Sequence, residues 1–185
     1  MQLGHLAIAL SIATYDWSVF NAAFCLGMHY LPNVDSVIAK ADLDKPIIVQ
    51  ANRIEAWLRR KKWCCGAFAE TDDESFWSSK GGFHCTVTHS LAFAVITALL
   101  IAPFSMHYAI LAFLCLVTHY LADIGSTIGL PLLWPFSRRR FTLALFKDTG
   151  WWGMAMIVGY YKQPVAVVLE CGVMLFLVYR MLQIF

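Results

Sequence analysis

The sequence predicts an all-α fold: a polytopic membrane helical bundle with short or re-entrant helices and one polar cytoplasmic insert. Three observations predict it. Of 185 residues, 59% are hydrophobic and 14% charged, with mean hydropathy +0.62. A soluble domain has about 45–50% apolar and about 25% charged residues. The apolar excess lies in blocks of the length a bilayer requires. The stretch from Phe83 to Phe136 carries one formal charge, Asp123, and four of the six histidines. A carboxylate in such a run is costly unless something cationic sits beside it. A metal ion shared by Asp123, His119, His84 and His89 supplies that partner.

The chain reads as one domain, residues 1–185, in which 40–82 form a polar, partly amphipathic insert. Residues 3–30 are apolar with a polar break at Tyr15-Asp16-Trp17-Ser18. Each arm is shorter than the roughly 20 residues of a full crossing, so the spacing predicts a hairpin of two short helices. The alternative is one continuous helix over 3–30. Asp16 is placed to cap the second arm. Pro32 stops that arm, and Asp35 follows in a loop. The opening MQLGHLAIAL lacks a basic n-region, so no cleaved signal peptide is expected.

Within the insert, PIIVQANRIEAWLRRKKW predicts an amphipathic helix that can set Ile47, Ile48, Ile54, Trp57 and Leu58 on one face. Its basic end, Arg59 to Lys62, suits an anionic membrane surface. It equally suits a solvated helix end complementing its own dipole. A flexible polar loop is expected over Glu70 to Gly82. The six cysteines (25, 64, 65, 85, 115, 171) include no CxxC and read as reduced thiols.

A helical hairpin over 88–124, turning at Pro103-Phe104-Ser105, is predicted next, with Thr86 or Thr88 as cap. Further apolar segments are expected at 151–161 and 165–185. Short basic loops at 53–62 and 138–140 mark the cytoplasmic side, and the C-terminus with Arg180 is expected there too. The hairpin returns its ends to one side of the membrane. His84 and His89 stand at its start, His119 and Asp123 at its finish. Asp35 and His5 arrive at the same level from the first hairpin, while His107 falls at the opposite end.

His119 and Asp123, at i and i+4, share a helix face and can chelate one ion. His84 and His89 converge only if His84 precedes the helix, as Gly81-Gly82 allows. Nitrogen and oxygen ligands of this kind suit zinc, manganese or iron. The competing account is a buried His–Asp hydrogen-bond network that only holds helices together.

HCTVTHSLAF resembles the HRxxTHS signature of the YdjM-like family, described as predicted membrane-bound metal-dependent hydrolases. THYLADIGSTIGLPLLWPF resembles that family's sHxxLDxxTxxGxxLLxPF pattern, LPNVDSV its LPDxD loop, and His5 its N-terminal histidine. The family is itself distantly similar to zinc-dependent phospholipase C. The resemblance implies that His84, His89, His119 and Asp123 are metal ligands, with His5 a further one. It implies that Asp35 is a ligand or bridging carboxylate, that Ser126 and Thr127 line the site, and that Trp134-Pro135 shape the loop over it. Cys85 stands where the family has Arg, the expected anion clamp, and Asn33 replaces the first Asp of LPDxD.

The expected function is metal-assisted hydrolysis of an amphiphilic substrate, a lipid phosphoester above all. A divalent ion, zinc by preference, activates water, with Asp35 and Asp123 as the catalytic carboxylates. Asp35, where it is not a ligand, is the general base. The expected setting is a bacterial inner membrane with the site facing the cytoplasm. Membrane lipids are the expected partners, and nucleic acid is not among them. The alternative is a membrane metal-binding or scaffold protein without hydrolytic activity. Lys147-Asp148 reads as a surface ion pair, and Glu170 as an intramembrane carboxylate with a helix partner.

Overall fold

The computed structural model describes residues 2–63, 76–77, 83–149 and 153–185. Among them all regular secondary structure is helical, apart from two isolated β-bridges. The expectations for the thiols of Cys64 and Cys65, for most of the polar loop Glu70 to Gly82 and for the first residues of the 151–161 segment lie outside the described residues.

The first apolar arm is α1, Gln2–Ala13, and the second is α2, Val19–Tyr30. The polar break between them forms a 3-10 turn, Thr14–Asp16, so the hairpin is observed rather than one long helix. At 12 residues each, the arms rise only about 18 Å, too little to cross a bilayer alone. Ser18, not Asp16, caps α2, its hydroxyl accepting from the Asn21 amide at 3.0 Å. Asp16 has other work. Its backbone carbonyl and carboxylate accept from the Asn21 side chain, and the carboxylate lies 3.4 Å from His107 Nε2.

Pro32 does end α2, in a second 3-10 turn, Leu31–Asn33. Asp35 then lies not in a loop but in the first turn of α3, Val34–Lys40. The amphipathic helix is α4, Asp44–Arg60. Its buried stripe is Ala51, Glu55 and Leu58, whereas Ile54 and Trp57 are exposed. The expected single apolar face is therefore divided. A buried carboxylate sits in the middle of the packed side, taken up by Arg138 and Trp134.

The central hairpin is α5, Leu91–Ile101, and α6, Met106–Asp123. Ser90 caps α5 in place of the expected Thr86 or Thr88, and Ser105 caps α6. Residues 83–90 make turns before α5, so both His84 and His89 precede it. The last helices are α7, Gly153–Tyr161, and α8, Pro164–Leu182. Helices α6 and α8 are long and apolar enough to cross a membrane. Only 11% of the α8 span is buried, against 39% for α6, which packs against α1, α2 and α5.

Small side chains let these helices approach closely. Ala13 of α1, Cys25 of α2 and Cys115 of α6 form one core cluster with Leu111. Helix α8 packs on α1, and Arg180 near its end donates to the Thr14 hydroxyl at 3.1 Å. Thr14 lies at the α1–α2 turn, remote from Arg138 and Arg140. The C-terminus therefore ends opposite the basic 138–140 loop, which corrects the expected return to that side.

Residues 124–149 run back over the end of α6. Gly125 permits this. A Cβ there would lie 2.6 Å from the Phe146 ring, so Phe146 could not seat where it does. Leu130 and Phe141 exchange both backbone hydrogen bonds at 2.9 Å, and the Leu91 amide donates to Leu132. The loop is thereby tied to the start of α5, and it forms one wall of a pocket.

Candidate metal centre

All six residues expected to form the site meet at one end of the bundle. Asp123, at the last residue of α6, is the hub. One oxygen, Oδ2, lies 3.2 Å from His119 Nε2 and 3.6 Å from His89 Nε2. Those two nitrogens are 3.2 Å apart. A tetrahedral zinc with bonds of about 2.0–2.1 Å holds its ligand atoms about 3.3–3.4 Å apart. The three atoms form such a face. The other oxygen, Oδ1, lies 3.1 Å from His5 Nε2 on α1.

Asp35 stands on the far side of His89. It is fully buried and accepts from His84 Nδ1 and from the Thr88 hydroxyl. His89 Nδ1 lies 3.3 Å from its Oδ2. His89 is thus gripped by Asp35 through one ring nitrogen and offers the other to Asp123 and His119. Carboxylate, imidazole and cation in line is the usual way a protein orients a ligating histidine. His89, His119 and Asp123 could together hold a metal ion. His84, Cys85 and His89 make a second group with converging ligand atoms.

The electrostatics agree. Burial raises the Asp35 pKa, but hydrogen bonds from His84 and His89 outweigh it and hold the carboxyl below its usual range. Burial works against charge on His89, yet hydrogen bonds to Asp123 and Asp35 push its pKa up to about 9. The position between the two carboxylates favours a cation. Burial, first of several causes, lifts the Cys85 thiol well above its ordinary value, so it is no thiolate at neutral pH.

Local chain geometry makes this convergence. Cys85 has φ +60°, the left-handed region that a residue with a Cβ seldom adopts. That reversal between His84 and Thr86 lets both imidazoles of the 83–90 segment turn toward Asp35. Arg140 stabilises it from behind, donating to the carbonyls of Cys85 and Gly129 at 3.3 and 3.2 Å. Arg138 instead binds Glu55. Tyr120 donates to the Thr88 carbonyl at 2.7 Å.

The cluster opens into a pocket of about 330 Å³. His5, His84 and Asp123 give it polar groups, while Phe146, Met156 and Ile157 give it apolar ones. The Asp123 side chain is 28% exposed, whereas those of His89, His119 and Asp35 are sealed. Ser126 lines the pocket as the resemblance implies; Thr127 instead accepts from the Asp148 amide. Lys147 and Asp148 also line it. His107 lies at the other end of α6, as expected. Glu170 accepts from the Tyr161 hydroxyl at 2.6 Å.

One histidine of the cluster escaped the sequence reading. His29, on α2, is fully buried and lies 2.9 Å from His5. Its signal was present: Asn21, Cys25 and His29 repeat every four residues, which marks a buried stripe. Neither a curated protein nor a solved structure matches this chain. Residues 5–185 match the family described as YdjM inner membrane protein, and the chain belongs to that family, in keeping with its two bilayer-length apolar helices.

Proposed function

We propose that this chain is a membrane-bound metal-dependent hydrolase acting on an amphiphilic phosphoester. The observation that carries the reading is the triangle of His89 Nε2, His119 Nε2 and Asp123 Oδ2, with sides of 3.2, 3.2 and 3.6 Å, opening on a pocket. A divalent cation held there, zinc by preference, acidifies water and polarises the scissile group.

The chain's own residues then have distinct tasks. His89, His119 and Asp123 hold the ion, and Asp35 fixes the ring of His89 from behind. His84 lines the pocket with Nδ1 on Asp35, the pairing that orients an imidazole for proton transfer. Asp35 would thus act as a base through His84 rather than by touching substrate. Apolar Ile128, Leu130, Phe146, Met156 and Ile157 receive the greasy part of the substrate and shed water. The basic residues Arg138 and Arg140 lie at this end of the bundle, which favours a cytoplasmic site.

Elemental analysis of the purified protein tests the site. Wild type should carry a divalent ion and His119→Ala should not. A screen of phospholipid vesicles and soluble phosphodiesters then tests the reaction; turnover should need the metal. Equal metal content in the two proteins would sink the site. A metal-binding or scaffold role without hydrolysis is the second reading, favoured by Cys85, whose neutral thiol offers no clamp for a phosphate. Metal bound without turnover of any phosphoester would select it.

A further inference from the structure

His29 touches neither the pocket nor Asp123, yet its hydrogen bonds decide which nitrogen His5 can offer. A chain of contacts runs from the Cys115 carbonyl to His29 Nδ1 at 3.0 Å and from His29 Nε2 to His5 Nδ1 at 2.9 Å. It finishes between His5 Nε2 and Asp123 Oδ1 at 3.1 Å. Both ends of this chain only accept hydrogen bonds. The carbonyl has no proton to give, and neither has the carboxylate.

Three gaps separate these groups, and two neutral imidazoles carry only two N–H protons. At 3.0 Å from the Cys115 carbonyl, a pure acceptor, His29 Nδ1 carries the proton. His29 Nε2 is then a bare acceptor and takes the Nδ1 proton of His5. That leaves His5 Nε2 with its lone pair directed at Asp123 Oδ1, two acceptors in contact within a buried cluster. Such a contact is unfavourable unless a cation joins it. A single extra proton would close that gap alone. His89 Nε2 and His119 Nε2 converge on the same carboxylate, and one cation with several ligands meets them together.

We propose that His29 is a positioning residue of the cation site, fixing His5 as a donor that complements His89, His119 and Asp123. The proposal rests on the metal reading above and adds a residue to it. The Cys115 carbonyl that sets His29 lies one helical turn before His119, so α6 supplies both a ligand and the anchor of this outer relay. His89 has an equivalent outer partner in Asp35. His119 does not: its Nδ1 is buried with no hydrogen-bond partner among the described residues. The ligand class is a divalent transition ion that accepts imidazole nitrogen.

The test is zinc binding by the full-length protein in lipid nanodiscs, competed with graded chelator, for wild type, His29→Phe and His29→Gln. Phe fills the space but cannot accept from His5; the Gln amide oxygen can. Loss of an outer-shell partner costs about 10–100-fold in metal affinity. His29→Phe should show that loss, and His29→Gln should recover most of it. X-ray absorption should count one imidazole fewer on zinc in His29→Phe and an unchanged number in His29→Gln.

Wild-type affinity and imidazole count in His29→Phe would overturn the proposal. If His29→Phe fails to fold, His29→Leu takes its place: zinc weakened in a folded His29→Leu and recovered in His29→Gln supports the relay, and wild-type zinc affinity in a folded His29→Leu overturns it. Failure of the wild type itself to bind zinc would remove the cation reading as a whole. Zinc that binds wild type without regard to residue 29 would remove only this inference.

Discussion

Two buried polar clusters lie in this molecule and they are built on opposite rules. In the first, Glu55 of α4 accepts from Trp134 Nε1 at 2.6 Å and from Arg138 Nε at 3.1 Å. The carboxylate meets the Arg138 guanidinium, with Arg59 farther off at 3.8 Å, and donors face acceptors. In the second, Asp35, Asp123 and the histidines face one another with more acceptors than protons. The Glu55 cluster is complete as built, and it ties the amphipathic helix to the loop after α6. The histidine cluster could hold a metal ion among its converging ligand atoms. Burial alone therefore does not separate a structural polar cluster from a functional one; the balance of donors and acceptors does.

Substitutions can break that contrast. Asp123→Ala removes the group that His5, His89 and His119 all approach, so metal binding should be abolished, read by elemental analysis of the folded protein. Arg138→Met should do the reverse. It leaves Glu55 buried with only the half-exposed Arg59 at 3.8 Å, where loss of the partner in comparable buried pairs costs about 3–5 kcal/mol. Chemical unfolding should show that loss, while metal per folded chain stays at the wild-type value.

Chelation sharpens the comparison further. An ion at a hundred times its dissociation constant stabilises the folded state by about 2.7 kcal/mol. Stripping it should lower the thermal midpoint of wild type and of Arg138→Met alike, and leave that of Asp123→Ala unmoved. The smallest effect is expected at the far end of α6. His107 and Asp16 are 3.4 Å apart with side chains 48% and 67% exposed. Loss of so exposed a pair in His107→Ala should change stability by less than about 0.5 kcal/mol and metal content not at all. A larger shift would mean that this end of the bundle is coupled to the site.

Much of this arrangement was legible beforehand. The polar break at 15–18 and the turn at 103–105 made two hairpins, and a hairpin returns its ends to one level. That alone predicted the meeting of His5, Asp35, His84, His89, His119 and Asp123. The helix caps were less legible, because Thr86 and Thr88 have the same chemistry as Ser90, and tertiary contacts took both threonines for other partners. Thr88 went to Asp35, and Thr86 lies 3.5 Å from Arg140. Apolar spacing predicts one apolar face for the amphipathic helix. Periodicity could not show that Glu55, a charged residue, belongs to the buried side.

What the amino-acid order determined by itself is the class of the protein and the membership of its site. Hydrophobic blocks fix helix lengths, breaks fix where the chain reverses, and ligating residues are carried to one end with them. Only the folded chain decided which nitrogen of each histidine looks inward. That choice depends on outer partners distant in sequence: Asp35 for His89, and the Cys115 carbonyl through His29 for His5. A hydrogen bond of that kind is set by a separation of a few ångströms in space, and no local pattern of residues encodes it.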